Sequence, residues 1–238
     1  MTKKRVWELD ALRGICIIGM MVVHMFYDLG AIGGKSLNLP QWFYLVKNYG
    51  HILFVLISGI CATLTTHTTL KRGLVVFGCG LLVSYVTMFM EFVIALPDFN
   101  GLHIWFGILH MLGVCMLLYP LFRKLPFWAL ALLGVGFIAL GYWMETLTVS
   151  VDYLFPLGLR SASFYVGSDY FAILPGFGWF LIGAALGKTA YRSKETLLPK
   201  VNADNYILRV LRFIGRHSLW FYLLHQPVLF AVTYLFIA

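Results

Sequence analysis

Long runs of apolar residues alternate along the chain with shorter polar segments. Seven of these runs are about as long as the roughly 20 residues that an α-helix needs to cross a bilayer. We therefore predict an all-α, polytopic transmembrane helix bundle in which residues 1–238 form a single domain. The predicted spans cover residues 12–30, 50–68, 73–96, 104–122, 127–144, 170–189 and 217–237.

The composition agrees with this pattern. Hydrophobic residues make up 61% of the chain and charged residues 12%, whereas soluble domains carry roughly 25% charged residues. A soluble domain of 238 residues could not bury so much apolar surface, so we expect lipid to cover much of it.

The distribution of basic residues predicts an orientation. The net charge of +8 would be compatible with a nucleic-acid partner in a soluble protein. With a cytoplasmic N-terminus, however, 15 of the 18 Lys and Arg residues fall on the cytoplasmic side, and only Lys35, Lys47 and Arg160 fall outside. The positive-inside rule thus predicts a cytoplasmic N-terminus and an outer C-terminus. Because topology accounts for the basic residues, we expect no nucleic-acid partner. A cytoplasmic anionic ligand or anionic lipid is a further use for the basic residues.

Residues 205–216 form a separate amphipathic segment. The stretch NYILRVLRFIGR places apolar and basic residues at helical spacing. This pattern predicts a helix that lies in the membrane interface.

The first predicted span carries a polar stripe. Arg13 and His24 are eleven positions apart, nearly three helical turns, so both project from one face. Asp10 and Asp28 lie three residues before Arg13 and four after His24, on adjoining parts of that face. The rise from Arg13 to His24 is about 16 Å. The stripe indicates a functional site. The alternative is that Arg13 only reaches lipid phosphate and that His24 is only a hydrogen-bonded core residue.

Other ionisable residues also fall at membrane depth, where their cost usually indicates function. Singly, each histidine is more often structural. Together they could line a hydrated cavity in which a histidine accepts a proton near neutral pH. His103 and His110 are seven positions apart and would share a face in the outer half of the fourth predicted span. His51 opens the second span on the outer side. The candidates are His51, Glu91, His103, His110 and His225.

Several stretches resemble membrane-bound acyltransferases. The opening helix, LDALRGICIIGMMVVHMFYDLG at 9–30, matches the R-x10-H motif of acyltransferase family 3. The whole chain is similar to the heparan-α-glucosaminide N-acetyltransferase catalytic-domain family, in its short bacterial branch. The other matching stretches are FVLISGICATLTT (54–66), KRGL (71–74), IWFGILHMLG (104–113), FAILPGFGWFLIGAALGK (171–188) and IGRHSLWFYLLHQPVLF (214–230).

The resemblance implies transfer of an acyl group, in the first place acetyl, from cytoplasmic acyl-CoA. The acceptor would be a hydroxyl or amine of a glycan or other envelope compound beyond the bacterial cytoplasmic (inner) membrane. Arg13 would act at the CoA end and His24 at the acyl centre. Whether the chain forms a homo-oligomer stays open.

The chain departs from the heparan-modifying members at one position. Those members have asparagine where this chain has His24, and their catalytic histidine follows that helix. The next histidine here is His51, so the catalytic histidine is either His24 or His51. The large luminal domain of those members is also absent from this sequence.

The chemistry of the residues is compatible with acyl transfer. Lys71, Arg72 and Arg216, with Arg13, would provide an anion site for the phosphates of CoA. His24 would deprotonate the acceptor while Asp28 orients its ring, or His24 would carry the acyl group itself. Glu91, His103, His110 and His225 are candidate substrate-binding residues.

No metal site or haem site is predicted. The cysteines Cys16, Cys61, Cys79 and Cys115 lie in apolar runs without C-x-x-C spacing, so we expect small core residues. Two other functions use the same polar core. One is a proton-coupled transporter or channel, which paired repeats would favour; the other is a haem-binding electron carrier.

Overall fold

The computed structural model describes residues 6–33, 39–65, 69–94, 101–165, 167 and 169–237. Within these residues the regular structure is helical, and the only β pairing is a single bridge between Ile104 and Gly167. A π-helical segment, Phe89–Ile94, continues α3, and a 3-10 turn covers Phe155–Leu157. The α-helices are α1 (Trp7–Gly33), α2 (Gln41–Leu64), α3 (Thr69–Met88), α4 (Ile108–Phe122), α5 (Phe127–Glu145), α6 (Ile173–Thr189), α7 (Tyr206–Arg216) and α8 (Ser218–Ile237).

Four segments of the described chain are long and apolar enough to cross a membrane: Trp7–Gly30, Gln41–Leu64, Thr69–Val93 and Phe127–Glu145. Ile108–Phe122 and Ile173–Thr189 are apolar but shorter. The all-α class is therefore confirmed, and the chain is an integral membrane protein. The count of seven spans and the cytoplasmic N-terminus stay predictions.

Two predicted spans begin elsewhere than expected. The second helix begins at Gln41, nine residues before the predicted start, because Lys47 and Asn48 lower the apolar character of a segment without breaking its helix. The fourth begins at Ile108 instead of residue 104, since Gly107 has an extended backbone and precedes the first helical turn.

The chain divides into two compact units. The first contains residues 1–57 and 193–238, and in it α1 packs against α7 and α8. Two glycines allow α1 and α7 to approach closely. Gly14 lies against the backbone of Leu211, and Gly215 lies against the backbone carbonyl of Asp10. The predicted helix at 205–216 is confirmed as a helix, and its place in the membrane interface stays a prediction.

The second unit contains residues 58–192. Here α3 packs against α4, and α6 packs against both α4 and α5. Gly113 of α4 lies against Phe77, and Gly178 of α6 lies against the backbone of Gly134, so small residues set these close contacts. The single-domain assignment stays a prediction.

Candidate functional site

The polar stripe of α1 faces α7 at one end. Arg216 of α7 donates from Nε to Oδ2 of Asp10 at 3.2 Å, and Asp10 is buried. Arg216 remains 37% exposed in its side chain. Glu8 accepts hydrogen bonds from the Thr196 hydroxyl and the Leu197 backbone N–H. Both acids of the first turn of α1 are therefore used to fasten the C-terminal segment.

Arg13 lies on the same helix without such a partner. Its side chain is half-buried, and within the described part of the chain no hydrogen bond or ion pair to its guanidinium is present. Asp10, its acidic neighbour, is paired with Arg216. A half-buried guanidinium with five donors is suited to an anion such as a phosphate.

At the other end of the stripe, α1 meets α8 through two histidines. The rings of His24 and His225 are 4.9 Å apart at an interplanar angle of 62°. His225 is 6% exposed, and its Nδ1 lies 2.5 Å from the carbonyl of Tyr222. Since a carbonyl only accepts, Nδ1 carries the proton and Nε2 is an acceptor. That Nε2 is buried and has no hydrogen-bond partner among the described residues.

Asp28 and Gln226 form the next contact along the same interface. Gln226 Nε2 donates to Asp28 Oδ1 at 3.0 Å, and Asp28 is 4% exposed. The remaining oxygens, Asp28 Oδ2 and Gln226 Oε1, are buried without partners among the described residues. Buried polar atoms are normally paired, so a cluster of unpaired ones indicates a missing donor. Among the described residues, the three unpaired atoms at the α1–α8 interface are Asp28 Oδ2, Gln226 Oε1 and His225 Nε2, and all three are acceptors.

Asp28 was predicted to orient the ring of His24. The hydrogen bond that the structure records for its carboxylate comes from Gln226, and Asp28 Oδ2 is unpaired. Its contact with His24 therefore stays a prediction.

His51 is placed differently from the expectation that it opens a helix. It is the eleventh residue of α2 and is half-buried. Contacts between α1 and α2 include the rings of Phe26 and Phe43, 5.4 Å apart, and Gly19 beside Val46. The catalytic role of His51 stays a prediction, as does that of His24.

In the second unit, Glu91 and His103 form an ion pair. Glu91 Oε2 accepts from His103 Nδ1 at 2.9 Å and from the His103 backbone N–H at 2.8 Å. Glu91 lies in the π-helical segment, a feature frequently found at functional sites. His103 lies before α4, so the prediction that it shares a helical face with His110 is wrong. The helix begins only at Ile108, after Gly107, whose backbone is extended.

His110 is engaged through both ring nitrogens. Its Nδ1 accepts from the Gly107 N–H at 3.1 Å, which leaves Nε2 to donate to the Ser84 hydroxyl at 3.4 Å. Ser84 in turn donates to the carbonyl of Ile104 at 2.5 Å. This chain of bonds caps the start of α4, and substrate binding by His110 stays a prediction.

The other predicted anion-binding residues lie in the second unit. Lys71 and Arg72 occupy the first turn of α3 and are exposed. Their contribution to a donor site stays a prediction.

Gln226 was not singled out from the sequence. The dipeptide His225–Gln226 stands in the apolar run WFYLLHQPVLF. Two adjacent polar residues inside a span are energetically costly. This cost could have identified Gln226 as a candidate site residue.

The fold and the site define an integral membrane protein with a buried polar centre between two of its helices. The chain belongs to the family described as "Heparan-alpha-glucosaminide N-acetyltransferase, catalytic", whose model matches residues 5–227. The match covers nearly the whole chain, confirms the resemblance seen in the sequence and implies acetyltransferase activity. No curated protein and no solved structure matches the chain.

Proposed function

We propose that this protein moves an acetyl group, or another acyl group, from cytoplasmic acyl-CoA to an amine or hydroxyl beyond the membrane. The acceptor would be a glycan or another envelope compound, and the membrane the bacterial cytoplasmic (inner) membrane. Membership of the acetyltransferase family supports the reaction class. The main support for placing the reaction centre between α1 and α8 is the group of acceptor atoms on Asp28, His225 and Gln226 that are unpaired among the described residues.

The donor end of the site is proposed at Arg13. Arg13 is half-buried, and the side chain of Arg216, also at this end of α1, is 37% exposed. Two guanidinium groups on adjoining helices fit the phosphates of CoA. The rise of about 16 Å between Arg13 and His24 would separate the bound phosphates from the reacting thioester. Lys71 and Arg72 stay proposed contributors.

The reaction centre is proposed at the His24–His225 pair. Because Nδ1 of His225 is committed to the Tyr222 carbonyl, Nε2 is the nitrogen that can take a proton from the acceptor. The acceptor nitrogen or oxygen then attacks the thioester carbonyl. A C–N or C–O bond forms and the C–S bond breaks. The CoA thiolate leaves and takes up a proton.

The hydrogen-bond inventory favours an amine over a hydroxyl as the acceptor. A protonated amine brings three N–H donors and a positive charge, whereas a hydroxyl brings one donor. The interface offers Asp28 Oδ2, His225 Nε2 and Gln226 Oε1, acceptors that have no donor among the described residues. An ammonium group would satisfy more of these atoms and would also neutralise the carboxylate.

Two features of the mechanism stay open. The acyl group passes directly to the acceptor, or it passes first to His24 and then onward. The catalytic centre is either the His24–His225 pair or His51.

The experiment supplies the purified protein with labelled acetyl-CoA and glucosamine and measures free CoA and labelled amide. We expect His24→Ala and His225→Ala to lower turnover by about 100-fold or more, the usual contribution of a proton-transferring side chain. His217→Ala is the matched control, because His217 is exposed beyond the end of α7. His51→Ala separates the two candidate histidines.

Failure to release CoA in the wild-type protein with any amine or alcohol tested would contradict the proposed reaction. If CoA is released and both His24→Ala and His225→Ala keep full turnover, the reaction stands and the proposed centre is wrong.

A further inference from the structure

The pair formed by Glu91 and His103 lies in the second unit, among residues that the proposed acyl transfer does not use. Both side chains are 10% exposed. Glu91 accepts two hydrogen bonds from His103, one from ring Nδ1 and one from the backbone N–H. The carboxylate thus fixes the His103 ring through its Nδ1.

The second ring nitrogen of His103, Nε2, is the one that Glu91 does not engage. When Nδ1 donates to Glu91, Nε2 is left as an acceptor. Among the described residues no hydrogen bond to this Nε2 is present. A ligand that carries a hydroxyl or N–H group could therefore donate to it.

Aromatic rings flank the imidazole. The rings of Trp105 and Tyr165 approach it edge to face, with centroids 5.7 Å and 5.5 Å away. Trp105 is 41% exposed and Tyr165 is 56% exposed. The Tyr165 hydroxyl donates to the carbonyl of Gly101 at 2.9 Å, which holds the ring in place. Exposed, fixed aromatic rings offer apolar faces beside a polar acceptor.

We propose that Glu91, His103, Trp105 and Tyr165 form a second ligand-binding site, which takes the ring of a sugar in its pyranose form. A pyranose has an apolar C–H face and a rim of hydroxyl donors. The C–H face would stack on Trp105 or Tyr165, and a hydroxyl would donate to Nε2 of His103. Glu91 is a positioning residue that fixes the histidine tautomer. The site involves other residues than the acyl-transfer centre and stands independently of it.

The experiment measures binding of glucose by titration calorimetry to the full chain in a detergent without a sugar headgroup. Sorbitol is the matched compound, since it has the same hydroxyl groups on an open chain that cannot present a ring face. We expect glucose to bind and sorbitol to bind at least about tenfold more weakly. Trp105→Ala and Glu91→Gln should each weaken glucose binding about tenfold or more, the effect of losing a stacking face or a charge-assisted hydrogen bond.

Matched variants control for exposure and charge. Trp128→Ala removes a tryptophan that is 58% exposed on α5, and Glu145→Gln neutralises an exposed carboxylate at the end of α5. Both should bind glucose as the wild type does. Absence of glucose binding in the wild type, or equal binding after Trp105→Ala, would overturn the site. Trp105 is a surface residue, so we expect Trp105→Ala to fold. This variant therefore tests the site even if Glu91→Gln fails to fold. Release of CoA from acetyl-CoA, measured separately, reports on the other centre.

Discussion

At the α1–α8 interface, polar residues of one helix contact polar residues of the other. Helical periodicity alone placed His24 and Asp28 on one face, and the structure confirms that this face is used, by His225 and Gln226 of α8. The partners could not be predicted, because the choice of neighbouring helix depends on contacts about 200 positions away in the chain.

The variant Asp28→Asn tests whether the Asp28 carboxylate binds the acceptor or only stabilises the fold. An amide in place of Oδ2 brings donors into an interface whose unpaired atoms, among the described residues, are acceptors, so we expect unchanged or higher thermal stability. Binding of the amine acceptor should weaken by about tenfold or more, because a charged hydrogen bond is lost. The checks are the melting temperature in detergent and the KM for glucosamine. A marked loss of stability with an unchanged KM would contradict this assignment.

His110 provides the opposite case, in which a histidine at membrane depth acts as a cap. His110→Ala removes the acceptor of the Gly107 N–H and the partner of Ser84. We expect the free energy of unfolding to fall by about 1–2 kcal/mol, as for a lost helix cap. Acetyl-CoA binding should stay unchanged. Unfolding by denaturant and calorimetric titration with acetyl-CoA measure the two quantities, and a selective loss of acetyl-CoA binding at wild-type stability would refute the capping role.

Helices as elements were largely predictable, and their ends were not. Seven of the α-helices coincide with predicted apolar spans and the eighth, α7, with the predicted amphipathic segment. The apolar pattern failed at Gln41, where polar residues lie inside a helix, and at residue 104, where the apolar residues 104–106 lie outside the helix. Ser84, Thr87 and Glu91 satisfy the backbone of residues 103 and 104 there, and this tertiary pairing has no signal in the local sequence.

The packing of α1 on α7 depends on Gly215. A Cβ at this position would collide with the backbone carbonyl of Asp10, so Gly215→Ala should destabilise the protein by about 1–3 kcal/mol. Gly136→Ala is the control, because nothing lies within 4 Å of the Cβ it would add and alanine favours the helix. Melting temperatures of both variants test the contact. Equal stability of Gly215→Ala and the wild type would show that α1 and α7 do not pack in this way.

At the scale of the whole molecule, composition predicted the class and the distribution of basic residues predicted the orientation. The helical structure and the family support an integral membrane protein. Sequence could not predict that the chain forms two compact units, because apolar periodicity shows which residues avoid water and does not show which helices pair.

The seven-span arrangement predicts the side on which the chain ends. Fifteen of 18 basic residues lie in segments assigned to the cytoplasm, so a reporter fused after Ala238 should be active on the outer side. The same reporter inserted in the 190–205 connection should be active only in the cytoplasm. Cytoplasmic activity of the C-terminal fusion would rule out this topology.

The most direct measurement of the central claim uses proteoliposomes that contain glucosamine and receive labelled acetyl-CoA from outside. In molecules whose N-terminus faces outward, Arg13 meets the donor, and we predict that labelled amide accumulates inside the vesicles. Vesicles with His225→Ala should form it at least about 100-fold more slowly, whereas vesicles with His217→Ala should match the wild type. Labelled amide formed at equal rates by the wild type and His225→Ala, or no labelled amide in either, would contradict the account.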